Sequence, residues 1–215
     1  MDDLSITDTI YHNHLRFRKA IEEFASTCSG RVLDVGCGSK PHRNRFDVEE
    51  YVGMDVAQEG YDPDLLGDAH HLPFPDGYFD HVVAFAVLEH LPDPMTFFQE
   101  ISRVLGGEGT IFVSTNQSFW LHMKPNDYFR FTRFGLRQLA ESTGFAACGF
   151  YEGGNALLRI GQKINLGLVN KLPDRIADLL IGLNNLLFYP ARHLDPLEDY
   201  TTIAITAEVE PPHSS

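Results

Sequence analysis

The residues best suited to chemistry lie at the ends of two short apolar runs in the first third of the chain. Gly36 and Gly38 follow the run Arg31–Val35, and Asp55 closes a second run that starts at Tyr51. Glycine at such a turn lets the backbone approach a ligand closely, and the free amides of a following helix can donate hydrogen bonds to it. A carboxylate at the end of the next strand can accept both hydrogen bonds of a ribose diol. This spacing predicts a nucleotide-type ligand.

Two further observations narrow the kind of ligand. The chain continues with Ser39-Lys40-Pro41 where a dinucleotide fingerprint has its third glycine, so the pyrophosphate-binding version is incomplete. Asp68 comes 13 residues after Asp55, and a carboxylate there can accept a hydrogen bond from an adenine amino group. Two alternatives stay open: a purely structural turn of another α/β fold at Gly36, and an Asp68 that caps the next turn.

A sheet is needed to bring these strand ends together. Short β-branched runs alternate with amphipathic segments, which is typical of a parallel sheet with helices on both faces. The run at residues 81–87 is apolar almost throughout, so it is expected in the middle of the sheet. The predicted strands are 31–35, 51–56, 65–68, 81–87, 110–115, 145–151 and 201–209, and the predicted helices are 11–27, 94–105 and 134–142.

The length of 215 residues fits a single domain, because one core stays efficient to roughly 250 residues. The predicted domain covers residues 1–215. Its parts are an N-terminal helical segment (1–30), a ligand-binding core (31–152), an inserted helical cap (153–195), and the last strand with a tail (196–215).

The cap carries two apolar stripes at helical spacing, separated by Pro173. It could cover a hydrophobic acceptor, form a dimer face, lie on a membrane surface or pack against the domain's own sheet. Lys163, Lys171 and Arg175 lie in this part of an otherwise acidic chain and favour an anionic or lipid-linked acceptor. The stripes comprise Leu157, Ile160, Ile164 and Leu168, then Ile176, Leu179, Leu180, Leu183 and Leu187.

Composition argues against several classes of protein. The 17 basic and 30 acidic residues give a formal charge of −13, so bulk nucleic acid is an unfavourable partner. The three cysteines are far apart and form no CxxC pair, so no metal ligand and no disulfide framework is predicted. The N-terminus lacks the pattern of a secretory signal, and no apolar run reaches the ~18 residues of a membrane span. A cytoplasmic location is expected.

The combined motifs resemble the class I S-adenosylmethionine-dependent methyltransferases, in the group that shares the methyltransferase type 11 pattern. The resemblance covers about residues 31–150. One departure is Gly106-Gly107-Glu108-Gly109, where Lys and Pro are frequent in the family, and it alters a turn. The matching motifs are Val32-Leu33-Asp34-Val35-Gly36-Cys37-Gly38, Gly53-Met54-Asp55, Gly67-Asp68-Ala69, Leu72-Pro73-Phe74, Phe79-Asp80, Leu88-Glu89-His90-Leu91 and Tyr128-Phe129-Arg130-Phe131-Thr132.

The resemblance implies a Rossmann-like, seven-stranded, mostly parallel sheet whose last strand is antiparallel. It implies S-adenosyl-L-methionine as the cofactor, with its methionine end at Asp34 and the glycine turn, its ribose at Asp55 and its adenine at Asp68. A wall past the fourth strand is implied as well, formed by residues 87–89. The predicted cofactor-binding set is Asp34, Gly36, Cys37, Gly38, Asp55, Val56, Asp68, Ala69, Val87 and Leu88.

The implied activity is methyl transfer (EC 2.1.1.-) to an oxygen or nitrogen of a small-molecule, sugar or lipid-linked acceptor. A hydroxyl acceptor must lose a proton, for which His90, His122 and His14 are candidate bases. Tyr128, in a segment that overhangs the active-site mouth in the family, completes the candidate catalytic set. Each has a structural interpretation too: His90 could end a strand, His122 could lie in a solvated loop, and Tyr128 could brace that loop.

Alternative functions come from other classes. A catalytically inactive protein that binds S-adenosylmethionine as a partner or sensor would keep the same cofactor residues. An NAD-dependent oxidoreductase is disfavoured by the missing third glycine. The negative charge counts against an RNA methyltransferase. The expected partners are a small or lipid-linked acceptor, with no nucleic acid, with peripheral membrane contact open, and with the chain a monomer or homodimer.

Overall fold

A computed structural model of the protein describes residues 5–7, 11–193 and 202–209, with the side chains of 11–16, 147, 148 and 192 left out. The strands are β1 (Arg31–Val35), β2 (Glu50–Asp55), β3 (Leu65–Leu66), β4 (Phe79–Phe85), β5 (Leu105–Asn116), β6 (Phe145–Gly153) and β7 (Thr202–Val209). The α-helices are α1 (Tyr11–Ala25), α2 (Pro94–Val104), α3 (Arg133–Glu141), α4 (Ala156–Val169) and α5 (Asp174–Phe188). Short 3₁₀ helices are Arg43–Arg45, Leu88–His90 and Tyr189–His193.

The seven strands form one sheet in the order β3-β2-β1-β4-β5-β7-β6. The neighbours from β3 to β5 pair in parallel. Gly153 lies beside Thr202, and Gly149 lies beside Thr206, so β6 and β7 run antiparallel. The predicted Rossmann-like sheet with an antiparallel last strand is therefore confirmed.

The central strand is buried because both of its faces are covered. Val82, Val83 and Ala84 of β4 are fully buried, as is Ile111 of the neighbouring β5. A parallel strand covered on both faces needs such a continuous apolar run. The position of β4 as the fourth of seven strands confirms the prediction from its composition.

Helix α2 shows how local sequence signals set its ends and its buried face. The Asp93 side chain accepts a hydrogen bond from the Thr96 amide, and Pro94 occupies the first turn, where its missing N–H costs nothing. The apolar side chains then recur at helical spacing and bury one face. These fully buried residues are Phe97, Phe98, Ile101 and Val104.

Several element boundaries differ from the predictions. Residues 106–109, expected as a turn before the fifth strand, belong to β5, which begins at Leu105. Pairing with β4 shifts there, from Phe79 opposite Leu105 to His81 opposite Thr110, so the extra residues form a bulge. Strand β4 ends at residue 85 and not at 87, because the left-handed Ala86 breaks it. Strand β3 keeps two residues.

The chain forms two compact units, Met1–Ala20 with Glu152–Thr202, and Ile21–Tyr151 with Ile203–Ser215. The predicted helical cap falls in the first of them. The predicted site residues 34–128 fall in the second. The organisation as a single domain stays a prediction.

The cap is a pair of helices with an unusual distribution of polarity. Asn165 donates to the Asn185 side chain at 2.9 Å, and Asn184 donates to the Gly161 carbonyl at 2.8 Å, so polar hydrogen bonds join the two helices. The buried residues of the pair also include the apolar Leu158, Ala177 and Ile181. Most of the predicted stripes instead lie outside, while Leu168 and Leu180 are half-buried. Between 44 and 74% is exposed at Leu157, Ile160, Ile164, Ile176, Leu179, Leu183 and Leu187. The predicted helices are confirmed, and the stripes are not the buried faces.

None of the helices in the described ranges is long and apolar enough to cross a membrane.

Candidate functional site

The turn after β1 adopts a conformation that requires glycine. Gly36 and Gly38 have φ of +72° and +54°, in the left-handed region. A Cβ on Gly36 would lie 2.3 Å from Cγ2 of Val87, so the backbone approaches that side chain closely. The Gly36 amide donates to the Met54 carbonyl at 2.8 Å. The turn is therefore fixed between β2 and the segment after β4.

Asp55 secures the same turn through its carboxylate. Its Oδ2 accepts from the Gly38 amide at 2.7 Å, and its Oδ1 accepts from the Val56 amide at 2.7 Å. Each oxygen has a second lone pair, so these bonds leave acceptor capacity for a ligand. Val56 is 55% exposed at the end of the strand. Asp55 thus joins the ends of β1 and β2, and its contact with a ribose stays a prediction.

Asp34 is a buried acid with only one of its two carboxylate oxygens hydrogen-bonded within the described part of the chain. It is 1% exposed, its Oδ2 accepts from the Tyr51 hydroxyl at 2.6 Å, and its Oδ1 has no hydrogen-bond partner among the described residues. Burial raises the pKa of this carboxyl to about 7, against a smaller lowering by the Tyr51 hydrogen bond. A buried acceptor without a donor fits a site for a cationic group of a ligand.

A lysine bridge, missed by the sequence reasoning, ties the turn to the approach to β3. Lys40 donates to Asp64 Oδ1 at 2.7 Å, and Asp64 Oδ2 accepts from the Gly53 amide at 2.7 Å. Lys40 itself has φ of +54°. The residues are 24 positions apart in the chain, so no local spacing indicates their contact. The bridge holds the loop after β1 against β2.

Asp68 makes the contacts expected of a cap. Its Oδ1 accepts from the amide and the Nδ1 of His70, at 2.9 and 2.7 Å. These bonds to His70 hold the pKa of Asp68 below its ordinary value. Its side chain is 68% exposed, so it also stays open to a ligand, and Ala69 beside it is half-buried. The role of Asp68 and Ala69 at an adenine stays a prediction.

The wall beyond β4 is built on a short 3₁₀ helix. Val87 is half-buried against the glycine turn, whereas Leu88 is fully buried and offers a ligand its backbone alone. Before them, the Ala86 amide donates to the Ser114 hydroxyl at 3.0 Å. This bond replaces a strand contact at the point where the chain turns away from β5.

Glu89 makes several long-range contacts that the sequence does not predict. It is fully buried, its Oε2 accepts from the Thr115 hydroxyl at 2.8 Å, and its Oε1 contacts the Asn116 side chain. Its carbonyl accepts from the Tyr128 amide at 2.8 Å. Glu89 therefore connects the end of β4 with the end of β5 and with the following loop, residues 117–132.

The structure brings two of the predicted catalytic residues together. The Nε2 atoms of His90 and His122 lie 3.1 Å apart, with the rings nearly perpendicular. The Nδ1 of His90 is 2.6 Å from the Asn126 carbonyl, and the Nδ1 of His122 is 3.2 Å from the Trp120 carbonyl. Both residues are partly buried, so His122 is not the solvated loop residue of the alternative interpretation.

The 117–132 loop is braced by an ion pair. Arg130 donates to both oxygens of Asp127, at 2.6 and 2.8 Å, while the Asp127 side chain is 2% exposed. This pairing holds the pKa of Asp127 well below its ordinary value. Tyr128 is 48% exposed, and its hydroxyl donates to Asn126 at 3.0 Å. Arg130 therefore braces the loop, while Tyr128 stays accessible.

The remaining residues that the sequence singled out are the three cysteines and His14. Cys37 is a buried free thiol whose pKa burial raises to about 12, which suits a packing residue and not a nucleophile. Cys28 is also a free thiol. The side chains of Cys148 and His14 lie outside the described residues, so the candidate base at His14 stays untested.

Comparison with known proteins gives a match over the same part of the chain. Residues 33–113 match the family described as "Methyltransferase domain". A probable S-adenosylmethionine-dependent methyltransferase of Mycobacterium tuberculosis is 31% identical over 128 residues, which are 53% of this chain and 44% of that protein. The demethylmenaquinone methyltransferase of Geobacillus stearothermophilus is 29% identical over 152 residues, 60% of this chain and 58% of that protein. The chain thus matches less than half of the mycobacterial relative.

The fold comparison extends further along the chain. A crystal structure of an S-adenosylmethionine-dependent methyltransferase from Mesorhizobium loti superposes with a TM-score of 0.60 at 14% identity, over 90% of this chain and 97% of that one. At this identity the likeness concerns the fold. Residues 33–113 thus match a methyltransferase domain, and the fold that this chain shares with the Mesorhizobium loti methyltransferase extends beyond them.

Proposed function

We propose that this chain transfers a methyl group from S-adenosyl-L-methionine to an oxygen or nitrogen of a small, sugar or lipid-linked acceptor. The observation that carries the proposal is the edge formed by the ends of β1 and β2. There a turn with two left-handed glycines, of which Gly36 has no room for a side chain, lies beside Asp55 and the buried Asp34. Such an edge of an open α/β sheet is where ligands bind in this kind of fold.

The residues at this edge fit the cofactor. Asp34 would accept from the amino group of its methionine part, Asp55 from the ribose, and Asp68 from the adenine. Gly38 would leave space for the ligand, while Gly36 lets the turn pack against Val87. When bound, the cofactor supplies an electrophilic methyl group on a sulfonium. The chain's own contribution is to orient the acceptor and to exclude water.

The His90–His122 pair is the candidate proton acceptor. Each Nδ1 lies beside a carbonyl oxygen, which can only accept, so each Nδ1 carries its hydrogen and leaves a lone pair on Nε2. A proton from an acceptor hydroxyl can be held between these two nitrogens. Tyr128, which is exposed, would contact the acceptor. Asp127 and Arg130 position the loop without touching the reacting atoms.

The helical pair supports a lipid-linked acceptor within this class. Its exposed apolar stripes are accompanied by the exposed Lys163, Lys171 and Arg175, in a chain whose net charge is −13. An exposed apolar surface edged with basic residues suits a peripheral contact with an anionic lipid surface. One relative is named for a demethylmenaquinone substrate.

Calorimetric titration with S-adenosylhomocysteine tests the cofactor, with NADH as the parallel control. Micromolar binding of the first compound alone is expected. Replacing Asp55 with Ala should weaken it by about 1–3 kcal/mol, because hydrogen-bonded groups lose their partner. Asp62→Ala, at an exposed acid nearby, is the matched control. Binding of neither compound, or equal affinity in Asp55→Ala, would contradict the assignment.

Turnover and acceptor class need a second experiment. Transfer of labelled methyl to lipid extracts and to water-soluble metabolite pools is compared, with His90→Ala as the variant that keeps cofactor affinity. A labelled lipid product supports the lipid-linked acceptor, and a labelled polar product replaces it. Cofactor binding without any labelled product would identify the chain as the inactive binding protein of the alternative hypothesis.

A further inference from the structure

Two imidazole rings in the second compact unit face each other with their bare nitrogens. The Nδ1 of His122 lies 3.2 Å from the Trp120 carbonyl and 3.5 Å from an Asp127 carboxylate oxygen, and the Nδ1 of His90 lies 2.6 Å from the Asn126 carbonyl. All three neighbours accept hydrogen bonds, so both Nδ1 atoms carry hydrogen. In neutral rings the lone pairs are then on the two Nε2 atoms, which lie 3.1 Å apart. A cation bound by both nitrogens would remove the repulsion between these lone pairs.

A buried negative charge lies beside the same two nitrogens. Glu89, His90 and His122 offer one ligand atom each, all within 4.8 Å of one another. Within the described part of the chain, the hydrogen bonds to the Glu89 carboxylate come from the neutral Thr115 and Asn116. A fully buried carboxylate with neutral donors is costly unless a positive charge compensates it. Arg130 interacts electrostatically with Glu89 but donates its side-chain hydrogen bonds elsewhere. Among the described residues, the histidine pair and Glu89 thus both lack a cation in direct contact.

We propose that Glu89, His90 and His122 form a binding site for one divalent transition-metal ion of the zinc class. Zinc binds imidazole nitrogen at about 2.0–2.1 Å, which separates two nitrogens by roughly 3.3 Å in tetrahedral and roughly 2.9 Å in octahedral coordination. The observed 3.1 Å lies between these values. Two histidines and one glutamate are also a known ligand set of zinc sites that keep a position open.

The residues around the three ligands provide the support that metal sites require. A metal-bound histidine usually donates its other N–H to a carbonyl or carboxylate, which fixes the ring and its tautomer. Both rings have that partner here, in the backbone carbonyls of Asn126 and Trp120. Thr115 and Asn116 orient the carboxylate in the same way. This supporting shell distinguishes the cluster from a chance meeting of polar side chains.

The carboxylate needs a small movement to bind the ion directly. An ion bound to both nitrogens on the side that faces Glu89 would lie at most roughly 1 Å beyond bonding distance from its nearest oxygen. A change in the Glu89 side-chain torsions, or one intervening water, covers that gap. The His90 and His122 nitrogens are therefore the primary ligands, and Glu89 supplies charge and the third contact.

This inference does not rest on methyl transfer. If the proposed function holds, the ion and the proton compete for the same nitrogens. A bound ion would then lower the pKa of an acceptor hydroxyl at its open position in place of the histidine pair taking up the proton. If the proposed function fails, the metal site stands or falls on binding alone.

The test is a zinc titration of the full chain after removal of metal with a chelator, followed by competition with a chromophoric zinc indicator. Wild-type protein should bind one equivalent of Zn²⁺. His90→Gln and His122→Gln should each weaken binding by about 100-fold, and Glu89→Gln by about 10-fold. The matched control is His193→Gln, which removes an exposed histidine of the other unit and should leave the affinity unchanged.

A spectroscopic measurement guards against variants that fail to fold. Co²⁺ added to the wild-type protein should give the visible absorption bands of a site with nitrogen ligands, and Zn²⁺ should displace them. Absence of saturable Zn²⁺ binding to the wild type would overturn the proposal. So would an equal loss of affinity in His193→Gln, which would indicate scattered surface sites. Calorimetry with S-adenosylhomocysteine on the same samples reports separately on the cofactor.

Discussion

Two buried carboxylates in the same unit have opposite surroundings. Asp127, in the 117–132 loop, is 2% exposed and carries a bidentate Arg130, which holds its pKa well below the ordinary value. Asp34, at the end of β1, is 1% exposed, has one oxygen without a partner, and has its pKa raised to about 7 by burial. Both oxygens of Asp127 thus accept hydrogen bonds, whereas Oδ1 of Asp34 has no donor among the described residues and can accept from a ligand. Substitution of Asp127 should therefore mainly lower stability, and substitution of Asp34 should mainly lower the affinity for the cofactor.

The largest effect is expected from closing the space at the glycine turn. In Gly36→Ala, the new Cβ would lie 2.3 Å from Val87 at a φ of +72°, so both overlap and backbone strain oppose it. A loss of about 3 kcal/mol in the free energy of unfolding is expected, with loss of cofactor binding. Urea denaturation measures the first and calorimetry the second. The double variant Gly36→Ala/Val87→Ala should recover the part due to overlap; no recovery would assign the whole effect to the backbone.

The next largest effect on stability is expected at Asp127, whose two carboxylate oxygens both accept hydrogen bonds from Arg130. Asp127→Ala removes the two hydrogen bonds that Arg130 donates to this carboxylate and the one that the His122 amide donates to it. Since the arginine is partly in contact with water, a loss of about 2 kcal/mol in the free energy of unfolding is expected. Asp178→Ala, at an exposed acid, serves as the control in the same urea series. A loss no greater than in this control would make the Arg130 pair a surface contact without structural weight.

At Asp34, a substitution is expected to change stability little and to weaken binding clearly. Asp34→Asn keeps an acceptor for the Tyr51 hydroxyl but removes the charge. At pH 8 the free energy of unfolding should not fall, because a desolvated carboxylate is replaced by a neutral amide. The affinity for S-adenosylhomocysteine should fall by about 10-fold, or ~1.4 kcal/mol. Destabilisation as large as in Asp127→Ala would remove the contrast between the two acids.

The raised pKa of Asp34 also predicts a slope of stability with pH. Because the pKa of Asp34 is higher in the folded protein than in the unfolded chain, the folded state binds more protons between about pH 4 and 7. The contribution of Asp34 to stability is therefore complete below pH 4 and is lost as the pH rises to 7. Wild type minus Asp34→Asn in urea denaturation, measured across that range, isolates the slope. A difference that rises with pH would contradict the raised pKa.

The sequence alone was sufficient for features that depend on neighbours in the chain. The strand-glycine-turn unit predicted Gly36 and Gly38, the apolar run predicted the central β4, and the spacing before Gly106 predicted α2. Each of these is set by local conformation or by the period of apolar residues. The resemblance to a known family then supplied the sheet topology, which local patterns do not contain.

Most of the site contacts that the sequence does not predict join residues that are far apart in the chain. The His90–His122 contact spans 32 positions and depends on the course of the 117–132 loop. The Glu89 contacts to Thr115 and Asn116 join the ends of two strands that pair in the sheet. The glycines at 106–109 were interpreted as a turn, since nothing local distinguishes a turn from a strand with a bulge.

The polarity of the helical pair is the clearest case of a pattern that did not predict burial. The sequence places its apolar stripes on helices, yet most of these stripes are exposed, while side chains such as Asn165, Asn184 and Asn185 are hydrogen-bonded between the helices. A hydrophobic periodicity shows that a helix has an apolar face, but what covers that face is decided outside the segment.

The position of β7 also has a consequence for how the protein is made. It is the last strand in sequence but lies between β5 and β6 in the sheet. During synthesis, β5 and β6 leave the ribosome long before the strand that separates them. Until residues 202–209 emerge, both strands keep an unpaired edge, and a premature β5–β6 pairing would have to be undone before β7 could enter. The facing edges of β5 and β6 are therefore completed only when β7 enters the sheet.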